Sequence, residues 1–425
     1  MSLGCPKNLV DTETMMGQVA KQHKLVTDMD KADVMVLNSC CFIQDAEQET
    51  IDTLLELKQW KKTSKRKIIL AGCYVEIQKD KLLKQYPFID GIINTGAVSR
   101  INEVLEQISK FDGAITIYAN HIHNFLGEEQ RILSTPPHYA YLKIGEGCNN
   151  SCAYCRIPSI RGSALFRPIK QIIEEAEKLA DSGVKEIIVV SQDSTMYNYD
   201  GYSFSGLLRA LDRIDKLAWI RIMYCYPDKI SDDLIRTIKA SKKIVRYIDM
   251  PIQHINDKIL NKMNRMSQRK SITNRIDTLR EEITDIKLRS TVMVGYPGED
   301  DNDFGELYDY IEETQFDHLG VFAYSQEPGT FSFNMRGQVD EHVKQKRLDA
   351  IMNLQKGISK KLNKKYIGQE MDVLIDNSEG GRRYFDAPEI DGFVYVANLK
   401  KQDIGQLKKV KIKKALEYDL IGRTT

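Results

Sequence analysis

Over the first 118 residues, short apolar runs alternate with longer stretches of helical periodicity. Asp33-Val-Met-Val-Leu37, Lys67-Ile-Ile-Leu70 and Gly91-Ile-Ile-Asn94 are apolar at consecutive positions, as strands covered on both faces are. Residues 45–61 and 99–110 between and after them read as helices, which predicts an open parallel α/β sheet. The polar stretch 119–138, ending in Thr135-Pro-Pro137, is expected to be a linker. From Tyr139 the alternation resumes, with candidate strands at 140–144, 186–190, 219–223, 246–250, 288–294 and 318–323. Helical patterns, such as 169–182 and 271–282, separate them. Six β/α repeats predict a partial TIM-like (β/α)6 barrel whose chemistry lies at the C-terminal strand ends. A helix from Glu341 to Lys360 leads out of it. After Gly368 short alternating runs at 371–375, 392–396 and 410–413 predict a small, five-stranded all-β barrel of OB type. The expected division is therefore 1–118, a linker 119–138, 139–360 with the exit helix, and 361–425.

Composition excludes several classes. Lys plus Arg total 61 against 60 for Asp plus Glu over 425 residues, so no whole-chain field points to nucleic acid or a membrane. Apolar runs such as Ile187-Ile-Val-Val190 are too short to span a bilayer, and Met-Ser-Leu-Gly-Cys-Pro-Lys has no signal-peptide core. Eight cysteines in such a chain suggest metal ligands or reduced thiols, and a cytoplasmic location.

The cysteines carry the chemistry. Cys148, Cys152 and Cys155 have a Cys-x3-Cys-x2-Cys spacing with no fourth cysteine in step. Three thiolates can cap three irons of a cubane and leave the fourth open, whereas electron-transfer clusters take four cysteines. A small molecule with an amine and a carboxylate can chelate that open iron. A zinc site is the alternative, but zinc knuckles pair Cys-x2-Cys with a second Cys or His pair. The triad follows the first predicted barrel strand, on the expected reactive rim.

Cys5, Cys40 and Cys73 form a second set. Cys40 and Cys73 each end a predicted strand, Cys5 precedes a helical run from Asn8, and the three follow Gly4, Ser39 and Gly72. C-terminal strand ends of a parallel sheet share one edge, so the three are expected to converge there, although buried cysteine is also common packing. Cys41 is expected to start the next helix, as a core residue or an alternative ligand, and Cys225 to be packing at the end of the third barrel strand. His121 and His123 lie in the polar linker and read as solvated. His254 is expected to face the rim as a polar contact in the cavity.

Cys148, Cys152 and Cys155, with Tyr154 before the last cysteine, resemble the signature of the radical S-adenosylmethionine (SAM) enzymes. The whole chain resembles the methylthiotransferases, which join a cluster domain, a radical SAM barrel and a TRAM domain. The supporting residues are Ser2-Leu-Gly-Cys-Pro-Lys-Asn8, Asn38-Ser-Cys40, Ala71-Gly-Cys73, Glu146-Gly-Cys148 and Ile157-Pro-Ser159 with Arg161-Gly162. Ser191-Gln-Asp193, Val294-Gly-Tyr-Pro-Gly-Glu299, Tyr324-Ser-Gln-Glu-Pro-Gly-Thr330 and Asp386-Ala-Pro-Glu-Ile-Asp-Gly392 add to them. Gly-Cys-Pro-Lys-Asn, where the transfer-RNA-modifying branch carries Gly-Cys-Gln-Met-Asn, favours the branch that acts on a ribosomal protein.

The resemblance implies two 4Fe-4S clusters, on Cys148, Cys152, Cys155 and on Cys5, Cys40, Cys73, with SAM as cosubstrate. It implies a 5′-deoxyadenosyl radical and addition of a methylthio group to the β-carbon of an aspartate in small-subunit ribosomal protein S-twelve. Tyr154 is then expected near the adenine, and Ser191, Gln192 and Asp193 near the methionine end of SAM. Ser191, Gln192 and Asp193 read equally as a capped rim turn. An electron donor and a sulfur source are implied partners. Transfer RNA is not expected, nor is a membrane. The rival readings are a transfer-RNA adenosine methylthiotransferase and a non-catalytic iron–sulfur or zinc RNA-binding factor. Relatives usually carry several residues more before the first motif, forming a full first strand, and glycine where this chain has Cys41. Seven acids between Glu370 and Asp391 (Glu370, Asp372, Asp376, Glu379, Asp386, Glu389, Asp391), against Arg382 and Arg383, predict an acidic face for a basic protein partner. Lys408, Lys409, Lys411, Lys413 and Lys414 read as a solvated edge strand.

Overall fold

The computed structural model describes residues 1–62, 65–111, 113–119 and 131–425; His121 and His123 lie outside them. The chain divides into two compact units, one of residues 1–134, 143–149 and 155–171, the other of 135–142, 150–154 and 172–425.

In the first unit, β1 (Val34–Ser39), β2 (Lys67–Gly72), β3 (Gly91–Ile93) and β4 (Ile115–Ile117) form a four-stranded parallel sheet in chain order. Leu37, Ile68, Ile69, Leu70, Ile92 and Ile93 are buried, as the unbroken apolar runs require. Helices Pro6–Val19, Gln44–Trp60 and Ile101–Lys110 flank the strands in sequence. Met15, Ile101, Val104, Leu105 and Ile108 pack on one side, and Leu54, Leu57 and Tyr74 belong to the other core cluster.

In chain order there follow β5 (Tyr139–Lys143), the short hairpin strands β6 (Gly145–Glu146) and β7 (Leu165–Phe166), then β8 (Glu186–Val190). A two-residue-stranded hairpin, β9 (Asn198–Tyr199) and β10 (Tyr202–Ser203), precedes β11 (Trp219–Ile222), β12 (Tyr247–Asp249), β13 (Lys287–Val294) and β14 (His318–Ala323). The hydrogen-bonded orders are β11-β8-β5 and β12-β13-β14. A parallel bridge from Ile220 to Ile244 and a bond from Cys225 N–H to Asp249 O continue the ladder from β11 toward β12. The six strands thus follow one another in chain order. Helix Ile169–Asp181 buries Ile172, Ala176, Leu179 and Ala180, the spacing of one helix face.

The C-terminal strands β15 (Glu370–Asn377), β16 (Gly380–Arg383), β17 (Val394–Ala397), β18 (Leu407–Ala415) and β19 (Leu420–Thr424) close a barrel in the order β15-β16-β17-β19-β18. Val373, Ile375, Val394, Val396, Val410, Ile412 and Leu420 fill it. Two expectations fail here. The lysine-rich strand β18 is no edge, because it pairs with both β15 and β19. Nor do Asp386 and Asp391 form an open acidic face, since their side chains are 0% and 1% exposed. Arg383 clamps Asp386, and Asp391 accepts from Tyr247 Oη at 2.7 Å and lies 3.4 Å from Arg289 Nε. Arg382 bridges Asp376 and Glu186, the first residue of β8, at 2.7 Å each. Asp376, Asp386 and Asp391 are thus drawn into internal ion pairs, whereas Glu370, Asp372, Glu379 and Glu389 stay exposed. Among the described residues, no helix is long and apolar enough to cross a membrane.

Candidate active site

Register builds the first cysteine set. β1 and β2 end on the paired residues Ser39 and Gly72, so Cys40 and Cys73 follow at the next position of two adjacent parallel strands. Ser2 bridges Asn38 in parallel and Leu3 N–H donates to Asn38 O at 2.9 Å, which lays the chain start along β1. Cys5 then sits at the N-cap of helix Pro6–Val19. Gly4 and Gly72 have φ of +83° and +93°, conformations that glycine adopts without strain. A Cβ at Gly4 would meet Cys40 Sγ at 2.7 Å, and one at Gly72 would meet Asn38 Oδ1 at 2.3 Å. The glycines therefore permit the close approach of the segments bearing the thiols. Asn8 stitches the turn, donating to Leu3 O at 2.6 Å and to Asn38 O and Ser39 O at 3.3 Å.

Cys40 and Cys73 are buried, and Cys5 is half-buried. Burial pushes the Cys73 thiol up to about 12, although the neighbouring Arg161 charge works against the rise. Cys40 also rises, mainly by burial. Ligation in such a site requires loss of these protons, so loading with metal releases them. Among the described residues no three His, Cys, Asp or Glu side chains gather about a single metal ion. Three thiols are the kind of donor set that a cubane takes, one thiolate per iron.

Cys41 corrects an expectation. The following helix starts at Gln44, so Cys41 lies in the turn, fully buried, with its thiol raised first by desolvation. Its carbonyl accepts from Arg156 Nη1 at 3.0 Å. Cys225 lies three residues beyond β11 and is fully buried, in keeping with packing.

The second set, Cys148, Cys152 and Cys155, stands in one short loop, and all three are half-buried. Cys148 N–H donates to Gly162 O at 3.1 Å, and Ile157 N–H points at Cys155 Sγ at 3.4 Å. In the other unit Asn150 donates to Asp193 Oδ2 at 2.8 Å, and Lys229 Nζ holds Asn150 Oδ1 at 2.7 Å and Asp193 Oδ2 at 3.0 Å. Asp193 also caps the turn Ser194–Met196 through Thr195. Ser191 Oγ is buried without a hydrogen-bond partner. Tyr154 packs edge-on to Tyr296 and its hydroxyl receives Arg265 Nη1 at 3.3 Å. His254 is fully buried, its Nδ1 accepts from Asn256 N–H at 3.0 Å, and burial lowers it to about 3.

Sequence reasoning missed a buried ion network. Arg161 donates to Cys73 Sγ at 3.3 Å, Asn8 Oδ1 at 3.0 Å, Asp11 Oδ2 at 2.7 Å and Glu146 Oε2 at 3.0 Å. Lys143 joins the same two carboxylates. Arg161 and Glu146 belong to motifs, yet nothing local in the sequence couples them to Asp11 or Cys73.

Family models agree with this architecture. The uncharacterized protein family UPF0004 matches residues 1–94, the radical SAM superfamily 142–311 and the TRAM domain 367–424. The ribosomal protein uS12 methylthiotransferase RimO of Clostridioides difficile (strain 630) is 44% identical, over 99% of this chain and 97% of the relative. The protein of the same name from Clostridium tetani (strain Massachusetts / E88) is 39% identical, over 99% and 96%. The chain belongs to the uS12 methylthiotransferase family. Radical SAM enzymes use SAM with a 4Fe-4S cluster, and the methylthiotransferases carry two such clusters. The radical SAM methyltransferase TsrM from Kitasatospora setae, with cobalamin and a 4Fe-4S cluster bound, shares the fold at TM-score 0.58 and 14% identity, over 77% of this chain and 74% of that one.

Proposed function

We propose that Cys148, Cys152 and Cys155 hold the cluster that binds SAM, and that Cys5, Cys40 and Cys73 hold the second cluster, beside which the methylthio group is delivered. The reading is carried by the paired ends of β1 and β2, after which Cys40 and Cys73 follow at the same position, with Gly4 against Cys40. When bound, the cluster and SAM supply one-electron chemistry able to take hydrogen from an unactivated carbon, which no acid or base side chain does at neutral pH. The chain's own residues orient these groups. Asn150, held by Asp193 and Lys229, fixes the loop between Cys148 and Cys152. Ser191, with a buried hydroxyl free to donate, together with Gln192 and Asp193, contacts the methionine end of SAM, and Tyr154 flanks the adenine.

The substrate is uS12, the ribosomal protein S-twelve, modified at the β-carbon of an aspartate. An electron donor and a sulfur source complete the cycle, in the cytoplasm, with 1–118, 139–360 and 361–425 as working modules and 119–138 as linker. Asp386 and Asp391 take no part in an open docking face, because they are engaged internally. The test is anaerobic turnover of the reconstituted chain with SAM, dithionite, sulfide and either uS12 in small subunits or transfer RNA, read by mass spectrometry. Methylthio gain on the aspartate is expected. Gain on an adenosine alone would shift the reading to the transfer-RNA branch, and iron without SAM cleavage would leave a non-catalytic factor.

A further inference from the structure

Arg161 is an unusual neighbour for a thiol set. It is 2% exposed, and its guanidinium reaches Cys73 Sγ at 3.3 Å while Asn8, Asp11 and Glu146 hold the rest of the fork. Lys143, 6% exposed, bonds both carboxylates, so two cations and two anions balance within the network. A guanidinium that only matched two carboxylates would not need a sulfur acceptor. Arg161 is instead fixed by three oxygen acceptors, with an Nη2 N–H directed at the sulfur. Its helix, Ile157–Arg161, begins two residues after Cys155, and Gly162, the next residue after Arg161, accepts from Cys148 N–H at 3.1 Å. One short segment therefore carries the donor to Cys73 and a backbone clamp on the Cys148 loop.

We propose that Arg161 is a positioning residue for the N-terminal thiolate set: its N–H to Cys73 sulfur holds that ligand and raises the reduction potential of the cluster there. This rests on the reading that Cys5, Cys40 and Cys73 bind a cluster. Hydrogen bonds to cluster sulfurs and nearby positive charge stabilise the more negative, reduced state. Asp11, Glu146 and Lys143 keep the guanidinium from rotating away, and its burial leaves water little access to screen the charge.

The test uses the full chain with Cys148, Cys152 and Cys155 replaced by Ala, so that only the N-terminal cluster is observed. Iron per chain and redox-poised electron paramagnetic resonance are measured with Arg161 intact, with Arg161→Met and with Arg161→Lys. If no iron binds while Arg161 is intact, the cluster assignment itself fails, and this inference with it. With iron bound, Arg161→Met should lower the reduced fraction at a fixed potential roughly tenfold, about 59 mV for one electron. Arg161→Lys, which keeps the charge without the fork, should fall between. Loss of iron in both variants, with unchanged circular dichroism, also supports a hold on Cys73. An unchanged potential in both variants overturns the proposal. Loss of fold in both assigns Arg161 to structure alone and overturns it equally.

Discussion

The two cysteine sets are assembled by opposite routes. Cys148, Cys152 and Cys155 lie within one loop, so their spacing announces them whatever the surrounding fold. Cys5, Cys40 and Cys73 are separated by whole β/α units, and only the parallel register of β1 with β2, with Leu3 alongside, brings them to one edge. The local set is half-buried, whereas Cys40 and Cys73 are buried beside an ion network. A loop can be read as a string of letters. An edge has to be read through topology, and its supporting residues are not adjacent to it in sequence.

The strongest test of this contrast removes each set in turn. Replacing Cys148, Cys152 and Cys155 with Ala should remove about half of the iron and abolish SAM cleavage. Replacing Cys5, Cys40 and Cys73 should remove the other half, leave SAM cleavage and stop methylthio transfer. Iron assay, 5′-deoxyadenosine formation and mass spectrometry of uS12 separate the outcomes. Methylthio transfer by the second variant would dissolve the division of labour.

The acidic run offers the same contrast in reverse, because residues adjacent in sequence are dispersed by the fold. Glu389 is exposed, with φ of +70°, while Asp391 two residues on is buried against Tyr247 and Arg289. Asp391→Lys leaves Arg289 facing a like charge, and breaking a buried pair costs about 3–5 kcal/mol. Asp386→Lys should do the same to Arg383, whereas Glu389→Lys should change stability by less than about 0.5 kcal/mol. Urea denaturation of the full chain measures all three. Equal effects would restore the picture of an open acidic face.

Much of the molecule was legible because its signals are periodic. The buried strand Glu186–Val190 is a run of β-branched residues, and the strand His318–Ala323 and the helix from Glu341 follow their patterns directly. β16 and β19 escaped because Gly380-Gly-Arg-Arg383 and Leu420-Ile-Gly-Arg-Thr424 lack a clear apolar–polar alternation, although each forms a hairpin with the strand before it. At the site, cysteines and glycines were legible as punctuation. The pairing of Asp11 with Arg161 and Lys143 was not, since ion pairing across a hundred or more positions leaves no local trace.

His254 sharpens the point about position and fold. A strand-end histidine reads as a site residue, yet its surroundings keep it neutral, first by burial and then by Arg347 and Lys258, with Asp303 opposing. Its folded value of about 3 lies below the ordinary 6.5, so it contributes stability above pH 6.5 that is lost progressively toward pH 3. His254→Gln should flatten that acid limb in pH-dependent thermal melts while SAM cleavage at neutral pH stays within a factor of a few. Loss of SAM cleavage with an unchanged melting profile would return His254 to the active site.

The smallest expected effect concerns the one place where the edge set is locally ambiguous. Cys40 and Cys41 are adjacent, and spacing alone cannot choose between them. Register can: Cys40 is the position after Ser39, across from Cys73 after Gly72, and Gly4 packs against Cys40 sulfur. Cys41 faces the core cluster with Leu37, Leu54 and Tyr74. Cys41→Gly deletes a small buried group, so a loss on the order of 1–2 kcal/mol is expected from the cavity and the freer backbone. Iron content and methylthio transfer should stay near the unsubstituted level, and Cys40→Ala should lose the N-terminal cluster. If Cys41→Gly lost that iron and Cys40→Ala kept it, the ligand would be the residue aimed into the core, and register would have misassigned the edge.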